Sequence, residues 1–388
     1  MSNSSNGIAS SLRQSSFLAM TLKILYNQIM KIKWLILLGI ILGVVVAFQF
    51  HGSKKKTITS KKIEKPTPTP EPSAIPLRMK SIFVPYWSDI DETSDFSNYD
   101  RIIYFGLNVG KDGVNTNDPG YLKMEHFESA VKDKPQKKWL ALRMTDTNTN
   151  LDIMNAVGSW DQIASDAATI ASEHSFDGVV LDLEMGALSS EGLKKRMVDF
   201  VSKIHDRLQS EKKQLALTIY GDTFYRKRPY DLEALSKNSE EIMVMAYDFH
   251  KSYGESGPNF PLGGRETYGY DFGLLVRDFL LFVPQNKLTV IFGMYGYDWI
   301  VDEKKRPIKP ATSVTLHEVK KKFLDDCESK NCIVRRDEKA YESEVNYIDP
   351  DYNYHIVWFE DQVSVDKKSH LMRQKGIDSI AYWAYGYF

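Results

Sequence analysis

The sequence has little of what marks a nucleic-acid-binding, zinc-binding or disulfide-rich protein. Its 388 residues carry 50 lysines and arginines against 51 aspartates and glutamates, a formal net charge of −1. Phosphate backbones are bound through a strong basic excess, so this balance argues against nucleic acid as the main partner. There are two cysteines, Cys327 and Cys332, and without a nearby pair of histidines they do not make a zinc site.

One uncharged run stands near the N-terminus. Residues 34–50 read WLILLGIILGVVVAFQF, 17 residues at the short end of the length that crosses a bilayer. Basic residues precede this run and no small-residue cleavage site follows it, which predicts an uncleaved transmembrane signal-anchor rather than a removed signal peptide. Residues 1–33 are then a short N-terminal segment, and the Lys-, Pro- and Thr-rich stretch 51–79 is an extended linker. The globular part is expected to span residues 80–388.

The charges that flank this run point in an unexpected direction. Four basic residues precede it and six follow closely, which by the positive-inside rule would hold the C-terminal part in the cytoplasm. Long domains are translocated largely regardless of flanking charge, so we expect a single-pass membrane protein with an extracytoplasmic C-terminal domain. There Cys327 and Cys332 are expected to close a small disulfide loop, with two free thiols as the alternative.

Residues 80–388 alternate short apolar runs with helical patterns, which is typical of a parallel sheet with crossover helices. Eight strand candidates occur, at 81–87, 101–109, 138–144, 176–184, 215–220, 242–248, 288–296 and 379–386. An apolar stripe from Leu193 to Leu208 and a capping-box pattern at Ser159 and Gln162 indicate helices between them. The pattern predicts an α/β fold, a (β/α)8 TIM barrel. The alternative, a doubly wound open sheet, would want a glycine-rich phosphate loop after an early strand, and the sequence has none.

About 80 residues separate the last two strand candidates, too many for one crossover. We expect residues 300–357 to form a small α+β insertion between strands 7 and 8 of the barrel. It should contain a lysine-rich helix from Ser313 to Asp326 and strand-like pieces such as YHIVW.

The run FDGVVLDLE holds two acids two residues apart on a predicted buried strand. Strand side chains alternate, so Val180, Asp182 and Glu184 share one face, which at the C-terminal end of a barrel strand opens into the mouth. Two close carboxyls should raise one pKa, and a carboxyl that keeps its proton can serve as a general acid. The outer Glu184 is better placed for this than Asp182. The alternative reading is a pair of ordinary surface carboxylates.

DGVVLDLE resembles the DGxDxDxE signature of glycoside hydrolase family 18, the chitinases and their relatives. Further motifs follow in the family's order: MAYD ends the sixth strand, GMYGYDW ends the seventh, and a tryptophan, Trp383, lies on the last. GYDW and VWFED are similar to the branch that contains spore-germination cortex hydrolases. The resemblance spans about residues 80–388.

The resemblance implies hydrolysis of a β-1,4-linked N-acetylglucosamine-containing glycan, peptidoglycan or chitin-like, without a metal or a cofactor. We expect the chain to be a monomer. Its mechanism would be retaining and substrate-assisted. Glu184 would protonate the glycosidic oxygen, while Asp182 and Tyr247 would hold the substrate's acetamido group. The implied sugar-binding residues are Asp248, Trp383, Tyr295 and Tyr86.

The sequence departs from the family's pattern at two places. Position 180 holds Val where the family usually has Asp or Asn, so Asp182 lacks its usual partner. The third strand reads LALRMT, with Arg143 facing the mouth in a role that the sequence does not define. These departures keep open a lectin-like, catalytically weak protein on the same barrel, and a purely structural role is a more remote alternative. His250 is interpreted as either a pocket or a surface residue, and Asp177 as structural.

Overall fold

The computed structural model describes residues 77–325, 327 and 331–388. The predicted segments 1–33 and 34–50, and the linker up to residue 76, lie outside these residues. Across the ranges that the structure does describe, no helix is long and apolar enough to cross a membrane.

Strands of two sheets make up the β structure. In chain order the strands of the described residues are β1 Met79–Pro85, β2 Arg101–Gly110, β3 Gly113–Val114, β4 Lys137–Met144, β5 Gly178–Leu183, β6 Gln214–Tyr220, β7 Glu241–Met245, β8 Leu288–Gly293, β9 Tyr295–Val301, β10 Thr312–Thr315, β11 Ile333–Arg336, β12 Ser343–Ile348, β13 Tyr354–Phe359 and β14 Ser379–Trp383. Eight of them (β1, β2, β4 to β8 and β14) pair in parallel, each with the next, and β14 pairs with β1. This closes the predicted (β/α)8 barrel.

Helices fill the crossovers. The α-helices of the described ranges are α1 Pro119–Leu122, α2 Met124–Val131, α3 Thr147–Asn155, α4 Trp160–Glu173, α5 Glu191–Ser210, α6 Leu232–Lys237, α7 Arg265–Tyr268, α8 Phe272–Phe279, α9 Leu316–Val319 and α10 Gln362–Arg373. The predicted stripe from Leu193 to Leu208 is the buried face of α5. Its spacing of three and four residues matches the helical repeat, so one side packs on the core.

The capping box predicted at Ser159 is wrong. Helix α4 follows a short 3-10 turn, Val157–Ser159, and Ser159 itself has helical backbone angles, φ −88° and ψ −10°. Its hydroxyl donates to the carbonyl of Ala156 at 2.8 Å instead of accepting from the first turn of α4. A capping side chain needs an extended backbone at its own residue, and the 3-10 turn removes that condition.

The interior of the barrel is an apolar core of alternate strand residues. Val180 of β5 packs inside, with Trp139, Ala141 and Ala216 on the neighbouring strands. The residues on either side of Val180 belong to the other cluster, between strands and helices. The predicted alternation of β5 is therefore confirmed. At the end where strands begin, the interior is closed by a buried ion pair, in which Arg101 bonds both oxygens of Glu241 at 2.6 and 2.9 Å.

The predicted insertion is a five-stranded antiparallel sheet in the order β10-β9-β13-β12-β11. It begins at Tyr295, earlier than expected, because the seventh barrel strand ends at Gly293. The lysine-rich helix begins at Leu316 instead of Ser313: it consists of α9 and the π-helical turn Lys320–Leu324 that follows it and holds the lysines. Thr312–Thr315 is strand β10, and Thr315 caps the helix reciprocally with Glu318. YHIVW is in strand β13, as predicted. The cysteines form the expected disulfide, with a Cα–Cα distance of 5.1 Å.

Candidate active site

A cavity of about 320 Å³ opens at the end of the barrel where the strands finish. Its walls are formed by Phe83, Trp87, Phe105, Arg143, Thr145, Asp182, Glu184, Thr218, Tyr247, Asp248, Tyr295 and Trp383. Six of the seven residues predicted for the site therefore meet around one cavity. The seventh, Tyr86, is not among the lining residues, and its neighbour Trp87 lines the cavity in its place.

The two acids of β5 differ in their surroundings. Asp182 is 3% exposed and accepts a hydrogen bond from the hydroxyl of Thr218, its register partner on β6. Glu184 lies just beyond the strand and is partly buried. Its backbone N–H donates to Met144 at 2.9 Å, and its side chain accepts a hydrogen bond from the hydroxyl of Tyr220. Backbone and side-chain bonds thus fix Glu184 over the deeper Asp182.

This arrangement favours a retained proton. Burial raises the pKa of Asp182 to about 8, with a further rise from the charge of Glu184, while Thr218 and Arg143 act in the opposite direction. Burial also raises the pKa of Glu184, against the lowering effects of the Tyr220 hydrogen bond and the positive charge of Lys251. Since both values are raised and each charge disfavours the other, the pair keeps a proton where isolated carboxyls would lose theirs.

Arg143 supplies a positive charge beside Asp182. It is the register partner of Asp182 on β4, and its guanidinium bonds both oxygens of Asp118 at 3.0 Å. The same guanidinium lies over the ring of Tyr86, 4.9 Å from its centroid, which places Tyr86 behind Arg143. Val180, at the position where the family's pattern usually has Asp or Asn, belongs to the apolar core of the barrel. Within the described residues, the charge that faces Asp182 from this side is that of Arg143.

The segment after β7 carries Tyr247 and Asp248. Asp248 has a positive φ of 56°, a conformation that aspartate adopts more readily than most residues. Its backbone N–H donates to Asn259 Oδ1 at 2.7 Å. Its carboxylate accepts hydrogen bonds from the hydroxyls of Tyr295 and, at 2.7 Å, Tyr297. Strand β9 of the insertion therefore helps to build the site.

A buried ionic network supports this turn from behind. The backbone N–H of Asn259 donates to Glu342 at 2.6 Å, and the ammonium of Lys368 bonds Glu342 at 2.8 Å and also Glu360. All three charged side chains are fully buried. Burial raises the pKa of Glu360 to about 8 despite the opposing charge of Lys368. The network joins the loop after β7, the insertion and helix α10.

Aromatic rings line the cavity opposite the acids. Trp383 ends β14, and its ring centroid lies 4.6 Å from that of Phe105 and 5.8 Å from that of Phe83. The ring centroid of Trp87 lies 6.3 Å from that of Trp383 in an edge-to-face contact, and Trp87 is 45% exposed. Flat apolar faces beside hydrogen-bonding groups suit a sugar ring, which has both kinds of surface.

Tyr220 is a site residue that the sequence analysis did not identify. The guanidinium of Arg228 lies 3.7 Å from its ring centroid and the ammonium of Lys251 lies 5.0 Å from it. Asp222, itself buried, holds Arg228 through two hydrogen bonds. The tyrosine that bonds Glu184 is therefore flanked by two cations. Its position as the last residue of a predicted strand was the signal that could have revealed it.

The structure also decides between the interpretations of His250 and Asp177. The ring of His250 lies with Nδ1 2.7 Å from the carbonyl oxygen of Pro258, and the residue does not line the cavity. Asp177 accepts a hydrogen bond from the backbone N–H of Lys138 at 2.8 Å, before β5 begins. Its structural interpretation is therefore confirmed.

Comparison with known proteins agrees with this geometry. The family model for Glycosyl hydrolases family 18 matches residues 82–387. A cortical fragment-lytic enzyme of Bacillus cereus is 34% identical over 160 residues, which cover 40% of this chain and 34% of that protein. An uncharacterized glycosylase of Bacillus subtilis, YvbX, is 24% identical over 225 residues, or 56% of this chain and 60% of that one. The chain spans between about a third and 60% of the length of the curated relatives it matches.

Solved structures share the fold. The Bacillus cereus spore cortex-lytic enzyme SleL superposes with a TM-score of 0.64 at 18% identity, over 80% of this chain and 71% of that one. A class V chitinase from Nicotiana tobaccum gives a TM-score of 0.69 at 13% identity, over 79% and 93% of the two chains.

Proposed function

This chain belongs to Glycosyl hydrolases family 18, and from that premise we propose that it hydrolyses a β-1,4-linked N-acetylglucosamine-containing glycan. The observation that carries the proposal is the proton-retaining pair Asp182 and Glu184 in an aromatic-walled cavity at the barrel mouth. A general acid must hold a proton near the working pH, and burial beside a second acid provides that condition.

The proposed mechanism is retaining and substrate-assisted. Glu184 transfers its proton to the glycosidic oxygen, which leaves with the electron pair of the broken bond. The carbonyl oxygen of the substrate's own acetamido group attacks the anomeric carbon and forms a cyclic intermediate. Water, deprotonated by Glu184, then opens that intermediate, and two inversions leave the configuration unchanged.

The neighbouring residues are assigned roles by their positions. Asp182 lies deeper than Glu184 and accepts from Thr218, so it is suited to hold the acetamido N–H and the positive charge of the intermediate. Tyr247 lines the same cavity and would bond the acetamido group. Asp248, fixed by two tyrosine hydroxyls, would contact the sugar, and Trp383 would stack on its apolar face.

Peptidoglycan is the substrate that we favour over free chitin. The relatives named as cortical fragment-lytic and spore cortex-lytic enzymes support this choice.

We also propose that residues 34–50 anchor the chain in a membrane with residues 80–388 on the extracytoplasmic side. Fractionation of cells and protease treatment of intact cells test the anchor, because protection of the C-terminal part would contradict the orientation.

Substitution of the acid tests the activity. The full chain, its Glu184→Gln variant and an exposed control, Glu125→Gln, are incubated with purified peptidoglycan and with chito-oligosaccharides, and products are identified by mass. We expect Glu184→Gln to lose at least about 100-fold in rate, as is typical for removal of a general acid, while the control remains active. Unchanged turnover in Glu184→Gln would exclude Glu184 from the mechanism. Sugar binding without new reducing ends from the unsubstituted chain would favour the lectin-like alternative.

A further inference from the structure

A second, larger cavity lies on the insertion. It measures about 870 Å³ and is bounded by the loop 252–256 after β7 and by the loop 304–310 between β9 and β10. Its floor includes Ile356 and Trp358 of strand β13. We call this cavity the insertion groove.

The floor of the insertion groove continues the surface that builds the catalytic cavity. Alternate residues of β9 share one face, so Tyr295, which lines the catalytic cavity, and Tyr297, which bonds Asp248, point the same way. Trp358 stands directly opposite Tyr297 in the antiparallel pair of β9 and β13. Opposite residues of such a pair have Cβ atoms about 5 Å apart on the same face. Trp358, in the floor of the insertion groove, is thus the cross-strand neighbour of Tyr297, whose hydroxyl bonds Asp248.

The rim of the insertion groove is positively charged, although the chain as a whole has a formal net charge of −1. The loop contributes Lys304, Lys305 and Lys309, all exposed. Among the described residues, none of these three ammonium groups has a carboxylate within ion-pair distance. Arg306 is paired with Asp302 at 2.6 Å. The rim therefore offers three ammonium groups that form no ion pair within the described part of the chain.

The acids that line the groove offset only part of this charge. Glu344 lines the groove, is 3% exposed and is bonded by Arg335 at 2.8 Å. Glu255, the other acidic lining residue, is exposed and has no cation within ion-pair distance among the described residues, so its charge offsets that of one of the three lysines. An uncharged glycan could accept hydrogen bonds from these lysines but would gain no charge attraction, whereas a glycan with carboxylates along its length would be attracted by them.

We propose that the insertion groove binds the part of a glycan strand that extends beyond the catalytic cavity, and that it selects a strand bearing carboxylates. Peptidoglycan fits this description, because its muramic acid residues carry lactyl groups that end in a carboxylate or in a peptide with carboxylates. The proposal rests on the proposed function for the identity of the polymer, but it concerns binding and does not require that the bond be cut.

A binding experiment on the full chain tests this proposal. The chain, kept in non-ionic detergent and carrying Glu184→Gln so that polymer is not consumed, is sedimented with insoluble peptidoglycan. The test variant adds Lys304→Gln, Lys305→Gln and Lys309→Gln. The matched control instead adds Lys137→Gln, Lys212→Gln and Lys375→Gln. These are three exposed lysines at the opposite end of the barrel, where strands begin.

A second polymer isolates the role of charge. The same peptidoglycan is coupled to methylamine, which converts its carboxylates to neutral amides without changing the sugar backbone. We expect the groove variant to bind native peptidoglycan about five- to tenfold more weakly at low ionic strength, and to bind the amidated polymer as its parent does. The difference should shrink as salt approaches about 0.5 M, because exposed charges are then screened. The control variant should stay within about twofold of its parent.

Several results would overturn the inference. An equal loss in the groove and control variants would show only a general effect of positive charge. An equal loss on native and amidated polymer would show that carboxylates are not recognised, and no loss at all would remove the lysines from binding. Each of these can occur while the chain still releases products from chito-oligosaccharides, so the proposed function is judged separately. Conversely, charge-dependent binding by a chain that cuts nothing would keep the inference and reject the hydrolase.

Discussion

Replacing Tyr220 by phenylalanine removes one hydroxyl from the site and leaves the ring in place. The ring would still lie between Arg228 and Lys251, so the local packing should survive. What is lost is the hydrogen bond that the hydroxyl donates to Glu184. That bond favours the charged carboxylate, and its loss should raise the pKa of Glu184 above the value it already has from burial.

The size of the effect follows from the type of bond. A hydrogen bond to a charged group contributes about 1.5–3 kcal/mol net, and one pKa unit corresponds to about 1.4 kcal/mol. Partial exposure of Glu184 and replacement of the hydroxyl by water reduce the difference, so we expect an upward shift of about one unit. In the proposed mechanism Glu184 must be protonated, so its ionisation sets the alkaline limb of the rate profile. That limb should move to higher pH by the same amount.

The assay is kcat/KM on the glycan across the pH range, for the unsubstituted chain and for Tyr220→Phe. The matched control is Tyr225→Phe, which removes a hydroxyl from a half-exposed tyrosine that does not line the catalytic cavity. A carbon-13 titration of labelled glutamate carboxyls, with Glu184 assigned by Glu184→Gln, measures the pKa without relying on activity. An alkaline limb and a Glu184 pKa that both stay unchanged in Tyr220→Phe would refute the reasoning.

Three further substitutions have distinct expected outcomes. Asp182→Asn should lower kcat by about 100-fold with a smaller change in KM, measured by initial rates, since its charge is needed most in the transition state. Trp383→Ala should raise KM by a factor about ten times larger than the factor by which it lowers kcat, because its ring serves substrate binding. A loss in kcat alone would contradict that role. Lys368→Met should lower the free energy of unfolding by about 3–5 kcal/mol in denaturant titrations, because it leaves buried carboxylates unpaired. The exposed neighbour variant Lys367→Met should change it by less than about 1 kcal/mol.

The barrel and its acids could be predicted because both depend on strand periodicity. The alternation of VVLDLE determined which side Asp182 and Glu184 face, and burial of Val180 in the interior confirms that face. The error at Ser159 has a different origin. Its capping pattern was present in the sequence, but a preceding 3-10 turn determined the backbone angles, and no local motif indicates that turn.

The residues that were missed follow the same periodicity. Phe83 points into the barrel, and every second residue after it, Pro85 and then Trp87, lies on the same side of the strand. Trp87 and not Tyr86 therefore reaches the mouth of the barrel. Tyr220 likewise has the parity of Ala216, an interior residue of β6. The inward face of each strand had to be known before this rule could be applied. The flanking cations of Tyr220 come from separate loops, and their meeting depends on the closed barrel.

The buried cluster of Lys368 with Glu342 and Glu360 limits how this protein could be shortened or recombined. Excising the insertion would remove Glu342 together with the bond it accepts from Asn259. The buried ammonium of Lys368, behind the turn that presents Asp248, would then keep Glu360 and lose the other of the two carboxylates that it bonds here. A graft of the insertion onto another barrel would bring Glu342 without Lys368, the base that it bonds here. The insertion and the barrel are therefore expected to change together in evolution, as one cooperative unit and not as interchangeable parts.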